Sequence, residues 1–95
     1  MLAGVAQIEP RLGETGHNLE ACLRGLEEAA TAGCSLVVFP ECALSGYMFD
    51  SPEEAAPFAE EIPGPATERL GAACARFGLH AAVGILERDG DDLRN

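Results

Sequence analysis

Leu36-Val-Val-Phe-Pro-Glu41 decides how the rest of the chain is read. Four large apolar residues follow one another without alternation, and Pro40 stops them. A strand buried on both faces has this pattern, as in a parallel sheet between two layers. Proline has no N–H to give to a ladder, so the strand ends there. Glu41 then stands at the C-terminal end of a buried strand. In open α/β sheets ligands bind at that end.

On the N-terminal side, Leu19, Cys22, Leu23, Leu26, Ala29 and Ala30 recur at the spacing of one helix face. Asn18 or Thr15 is a candidate cap, and Gly33 is a natural stop. Earlier still, Ala3-Gly-Val-Ala-Gln-Ile8 is a short apolar run closed by Pro10. It has no basic flank and reads as a buried first strand, not as a signal peptide.

On the C-terminal side, residues 42–50 form a loop. Ser51-Pro52 starts a short helix, with Ser as cap and Pro in the first helical position, and Pro57 ends or kinks it. Ile62-Pro-Gly-Pro65 is a rigid turn into another helix, with Glu68 near its N-terminus. Leu70, Ala73, Cys74 and Phe77 make its apolar stripe, and Gly78 stops it. Leu79 to Leu86 reads as a third buried strand. Residues 87–92 read as a hairpin turn, with a fourth strand opening at Leu93. The β-α-β-α-β order predicts an α/β fold with right-handed crossovers and a largely parallel sheet.

Composition narrows the function classes. The 95 residues hold one domain or part of one. Hydrophobic residues make up 47%, but sixteen are Ala and four are Cys, so the core is thin. Sixteen Asp and Glu stand against six Arg and no Lys, for a net charge of −10. That balance excludes a nucleic-acid or anionic-membrane partner, since each needs a basic patch. No apolar stretch approaches the ~20 residues of a membrane span. Cys22, Cys34, Cys42 and Cys74 form no CxxC pair and have no His or Asp at ligand spacing. Reduced thiols, a cytoplasmic location, and no metal or other cofactor are therefore expected. No glycine-rich phosphate loop is present.

Glu41 is the most informative single residue. Beside Phe39 and Pro40 it is expected to be part-desolvated, which makes a carboxylate a better base. The plainer alternative is a Glu that caps the next turn or faces solvent. Cys42 follows it on an extended segment, where neighbours point to opposite sides, so the two are not expected to share a pocket. Cys22, Cys42 and Cys74 read as small buried hydrophobes. His17 belongs to the loop before the first helix, and His80 reads as a structural residue. Glu53-Glu54 and Glu60-Glu61 read as solvated surface.

Together these segments resemble the nitrilase superfamily of carbon–nitrogen hydrolases. Leu36-Val-Val-Phe-Pro-Glu41 followed by Leu44-Ser-Gly-Tyr47 is similar to its most specific early signature. Val5-Ala-Gln-Ile8, Asn18-Leu19 with Ala32-Gly33, Ile62-Pro-Gly-Pro65, Val83-Gly84 with Glu87-Arg88, and Asn95 continue the match across the whole chain. The resemblance implies an α-β-β-α sandwich of which residues 1–95 are the N-terminal part, one domain incomplete at its C-terminus. It implies a Glu-Lys-Cys triad acting on amide, N-carbamoyl or, more rarely, nitrile bonds of a small molecule. It makes Glu41 the general base and Tyr47 a candidate substrate-binding residue, and it implies a homo-oligomer at full length.

The chemistry suits those residue types. A free thiol and a free Glu differ by about 4 pH units, so direct proton transfer is uphill. A buried carboxyl and a nearby ammonium close the gap. Residues 1–95 contain no Lys, and none of their cysteines lies where the family's nucleophile would be. The 95-residue chain alone is therefore expected to be inactive. A rival reading is a non-catalytic α/β fragment or degenerate subunit that acts as an interaction module through its exposed sheet.

Overall fold

The computed structural model describes residues 1–46 and 48–95. The elements follow in the order β1 (Ala3–Val5), α1 (Thr15–Thr31), β2 (Leu36–Val38), α2 (Pro52–Ala55), α3 (Pro65–Phe77), β3 (His80–Ala82), β4 (Glu87–Asp89) and β5 (Asp92–Arg94). The first three strands are parallel, in spatial order β1-β2-β3. The last two are an antiparallel hairpin. The predicted β-α-β-α-β order is present, with β4 as the additional strand: Glu87 starts it, and only Gly90 and Asp91 remain for the turn.

The sheet register explains the layers. Gly4, Val37 and Ala81 align in one row, and Val5, Val38 and Ala82 in the next. Successive side chains on a strand point to opposite faces. Val37 packs with Leu19, Cys22 and Leu26 of α1 and with Ala66 and Leu70 of α3. Val5 is 75% exposed and Val38 41% exposed. The expectation of strands buried on both faces thus holds for one face. Both long helices cover the Val37 side, and among the described residues the other side is open.

Local chemistry sets the helix ends. Ser51 Oγ accepts a hydrogen bond from the Glu54 N–H at 3.1 Å, and Pro52 takes the first helical position, as expected. At Pro57 the chain tightens into a 3-10 turn over Ala56–Phe58. Pro65 opens α3, and Gly78 closes it at φ 67°, a left-handed conformation that glycine adopts without steric cost. Helix α1 starts without a side-chain cap, and His17 lies inside it, not in the preceding loop. Asn18 is within its first turn and does other work, described below.

The apolar run from Leu79 to Leu86 is only partly strand. Beyond Ala82 its carbonyls pair with irregular segments: Gly84 O accepts from Ala43 N at 2.9 Å and Leu86 O from Glu60 N at 3.1 Å. Glu60 is half-buried and not solvated surface. Its Oε1 accepts from the Ala66 N–H at 3.1 Å in the first turn of α3, and its carbonyl accepts from the Arg88 N–H at 2.7 Å.

Candidate active site

Segments leaving the C-terminal ends of β1 and β2 converge on one concavity. Its volume is about 550 Å³, and its walls include Ile8 and Pro10 after β1, Pro40 and Glu41 after β2, and Leu12, Gly46 and Met48. This is the end of a parallel sheet where ligands bind. The segment leaving β3 runs beneath it. A Cβ built on Gly84 would lie 2.8 Å from the Glu41 Cα and 3.1 Å from the Cys42 nitrogen. Any side chain at Gly84 would push the Glu41 backbone aside.

Glu41 itself is exposed among the described residues, so the expected part-desolvation is absent. Its Oε1 accepts a hydrogen bond from Asn95 Nδ2. The Cys42 thiol donates to the other end of the same amide, Asn95 Oδ1, at 3.7 Å. Although only Glu41 lines the concavity, Glu41 and Cys42 therefore meet at one residue. The reason is a left-handed turn: Cys42 has φ 47°, which non-glycine residues seldom adopt. The thiol is buried, and its pKa is raised, first by burial and then by the negative charge of Glu41; a hydrogen bond with Ser45 opposes them. Cys42 is held as a protonated thiol, which fits a hydrogen-bond donor and not a nucleophile.

Asn18 builds the wall next to this group. Its Nδ2 donates to Arg11 O at 2.8 Å and to Leu44 O at 2.7 Å, and its Oδ1 accepts from Arg11 N at 2.8 Å. It is 1% exposed. It fastens the connection after β1 to the turn after β2, reinforced by a Gly13 N–H to Ser45 O bond at 2.9 Å. In the sequence Asn18 is, with Thr15, a candidate cap. The signal that finds it is its place in the Asn18-Cys22-Leu26 stripe, three residues that are all buried.

The remaining candidates lie elsewhere. Cys22 is fully buried, and burial pushes its thiol up to about 11. Burial also raises the Cys74 thiol. His17 and His80 are exposed. Tyr47 lies outside the described residues. Among the described residues, no group of three or more His, Cys, Asp or Glu is placed to hold a metal ion. No helix among the described residues is long and apolar enough to cross a membrane.

Comparison with known proteins gives a consistent result. The sequence profile of the family described as carbon-nitrogen hydrolase matches residues 2–95. An aliphatic nitrilase from Sinorhizobium fredii is 31% identical over 107 residues, spanning 96% of this chain and 35% of its own. A nitrilase from Pyrococcus abyssi is 34% identical over 90 residues, spanning 94% of this chain and 34% of its own. A bifunctional nitrilase/nitrile hydratase from Nicotiana tabacum is 33% identical, spanning 96% and 31%. The chain thus spans about a third of the length of the curated relatives it matches. Among solved structures, an N-terminal amidase superposes with a TM-score of 0.79 at 24% identity, over 96% of this chain and 23% of that one, a likeness of fold.

Proposed function

The chain belongs to the carbon–nitrogen hydrolase family, and from that premise we propose that it supplies the general base, Glu41, for hydrolysis of a non-peptide C–N bond. One observation carries the reading: Glu41 ends the segment after β2, at the wall of a concavity of about 550 Å³, with its carboxylate held by Asn95. In this reading Glu41 accepts the proton of a cysteine thiol that lies outside residues 1–95. The thiolate attacks the substrate carbon, and a lysine, also outside these residues, stabilises the charged intermediate. An amide substrate releases ammonia as the thioester forms, and one water then frees the acid. A carboxylate suits this work because it takes a proton while fixed within hydrogen-bond reach of the donor.

A small amide is the substrate class proposed. A nitrile is the second reading, and it is supported by the similarity to relatives described as nitrilases. A nitrile consumes two waters on the way to acid and ammonia, and the thiol adds across its triple bond first.

Single-turnover acylation of the full-length protein tests the proposal, with an amide and a nitrile run in parallel. Glu41→Gln should slow acylation by about 10²–10⁴-fold. Glu87→Gln is the control: Glu87 begins β4, in the hairpin, and should leave the rate within about threefold. Near-normal acylation by Glu41→Gln would place the base elsewhere. Turnover of the nitrile alone would select the second substrate class.

A further inference from the structure

We propose that Asn95 is a positioning residue for Glu41, and that the Cys42 thiol fixes the orientation of the Asn95 amide. The inference rests on Glu41 as the base. An exposed carboxylate on a flexible stem samples several rotamers, and ordering it has an entropic cost. A base that strays by about 1 Å forfeits roughly 10²-fold in rate. The Asn95 N–H bond to Oε1 removes that freedom and leaves Oε2 to accept the proton.

An asparagine amide has two faces that exchange by a flip. Here the two neighbours choose between them. Glu41 presents only an acceptor, so it demands the NH2 end. Cys42 presents an S–H that the carbonyl end accepts, and a sulfur that is only a weak acceptor for an N–H, so it favours the same orientation. In the flipped amide, Oδ1 would face the carboxylate and NH2 would face the thiol hydrogen. The contact with the carboxylate would be repulsive, and the S–H would lose its acceptor. The donor set is therefore self-consistent in one orientation.

The backbone supports the same reading. Cys42 adopts φ 47°, a conformation that costs a non-glycine residue energy and persists where its surroundings hold it. Those surroundings are Gly84, which passes beneath the Cys42 nitrogen, and the Ala43 N–H to Gly84 O bond at 2.9 Å. Without the left-handed turn the thiol would leave Asn95. The turn, the buried thiol and the amide form one device whose output is the direction of the Glu41 carboxylate.

The test is single-turnover acylation and steady-state KM on the full-length protein, with Glu41→Gln as reference. Asn95→Ala should slow acylation by about 10–100-fold and leave KM within about twofold. Asn95→Asp should be slower still, because it sets an acceptor against the carboxylate. Cys42→Ala should lose about threefold, in keeping with a weak sulfur donor, and Cys42→Ser should recover most of that loss through its hydroxyl. Wild-type acylation by Asn95→Ala beside a slow Glu41→Gln would overturn the positioning role and leave the base in place. A raised KM at unchanged acylation would make Asn95 a substrate contact and also overturn it. Cys42→Ser as slow as Cys42→Ala would remove the thiol from the device. If Glu41→Gln itself acylates normally, the base assignment fails, and this inference fails with it.

Discussion

Gly84 and Glu41 belong to segments that leave different strands, and they touch backbone to backbone: a Cβ on Gly84 would sit 2.8 Å from the Glu41 Cα. Real Cβ atoms do not approach so closely, and the atom approached is main chain, which cannot swing away. Gly84→Ala must therefore displace the segment that carries Glu41. The expected cost is about 1–3 kcal/mol in stability. Acylation should fall by roughly 10²-fold, since the base moves by a large fraction of an ångström. A thermal melt and single-turnover kinetics on the same variant check both parts.

Asn18→Ala removes three hydrogen bonds at once and leaves Arg11 N, Arg11 O and Leu44 O without their side-chain partner. Buried polar groups so stranded cost about 1–3 kcal/mol each when unsatisfied, and water entry reduces the sum. Destabilisation of about 2–4 kcal/mol is expected from denaturant midpoints. Asn18→Leu restores volume but no hydrogen bond, so it should be no better than Asn18→Ala.

Burial raises the Cys22 thiol from its ordinary 9.0 to about 11. Its stability contribution is intact below pH 9, where the folded and unfolded chains both keep the proton. Above pH 9 the unfolded chain releases the proton first, and stability declines as pH rises through about 11. Cys42 and Cys74 are shifted in the same direction and add to the slope. Denaturation curves between pH 8 and 11 should show the decline, and Cys22→Ala should flatten it.

Residues 1–95 expressed alone should show no amide or nitrile turnover, because they contain no lysine. They should also self-associate through the open sheet face, where Val5 and Val38 are exposed side by side in register. Sedimentation velocity across a concentration series reads the association, and Val5→Lys should reduce it. A monomer with a sharp, concentration-independent melt would contradict this.

Much of the fold was legible because its punctuation is local. Ser51-Pro52, Pro57, Pro65 and Gly78 each act through their own backbone geometry, and each is where the sequence predicts it. The motif ending in Glu41 was legible for the same reason. Four features were not, because each depends on a distant partner. Leu79 to Leu86 is almost wholly apolar, yet only three residues join the ladder, and beyond them Gly84 and Leu86 pair with Ala43 and Glu60. Glu60 looks like surface until α3 is placed over it. Asn18 resembles a cap until Leu44 arrives 26 residues later in the chain. Asn95 meets Glu41 only after the hairpin has turned. Periodicity also cannot distinguish a strand covered on one face from one covered on both, which is why Val5 and Val38 were expected to be buried.

Glu60 has a mechanical consequence. Its N–H holds Leu86, its carbonyl holds Arg88, and its carboxylate holds the first turn of α3. One residue thus rivets the base of the hairpin to a helix with which the hairpin shares no ladder. Opening at that point releases both attachments together, so the amides of Ala66 and Arg88 should exchange with solvent through a single shared fluctuation. Because β5 leads directly to Asn95, that same fluctuation is expected to move the Asn95 amide relative to Glu41. On that expectation, a rivet far from the carboxylate in sequence steadies the site, and stiffness in α3 becomes steadiness at Glu41.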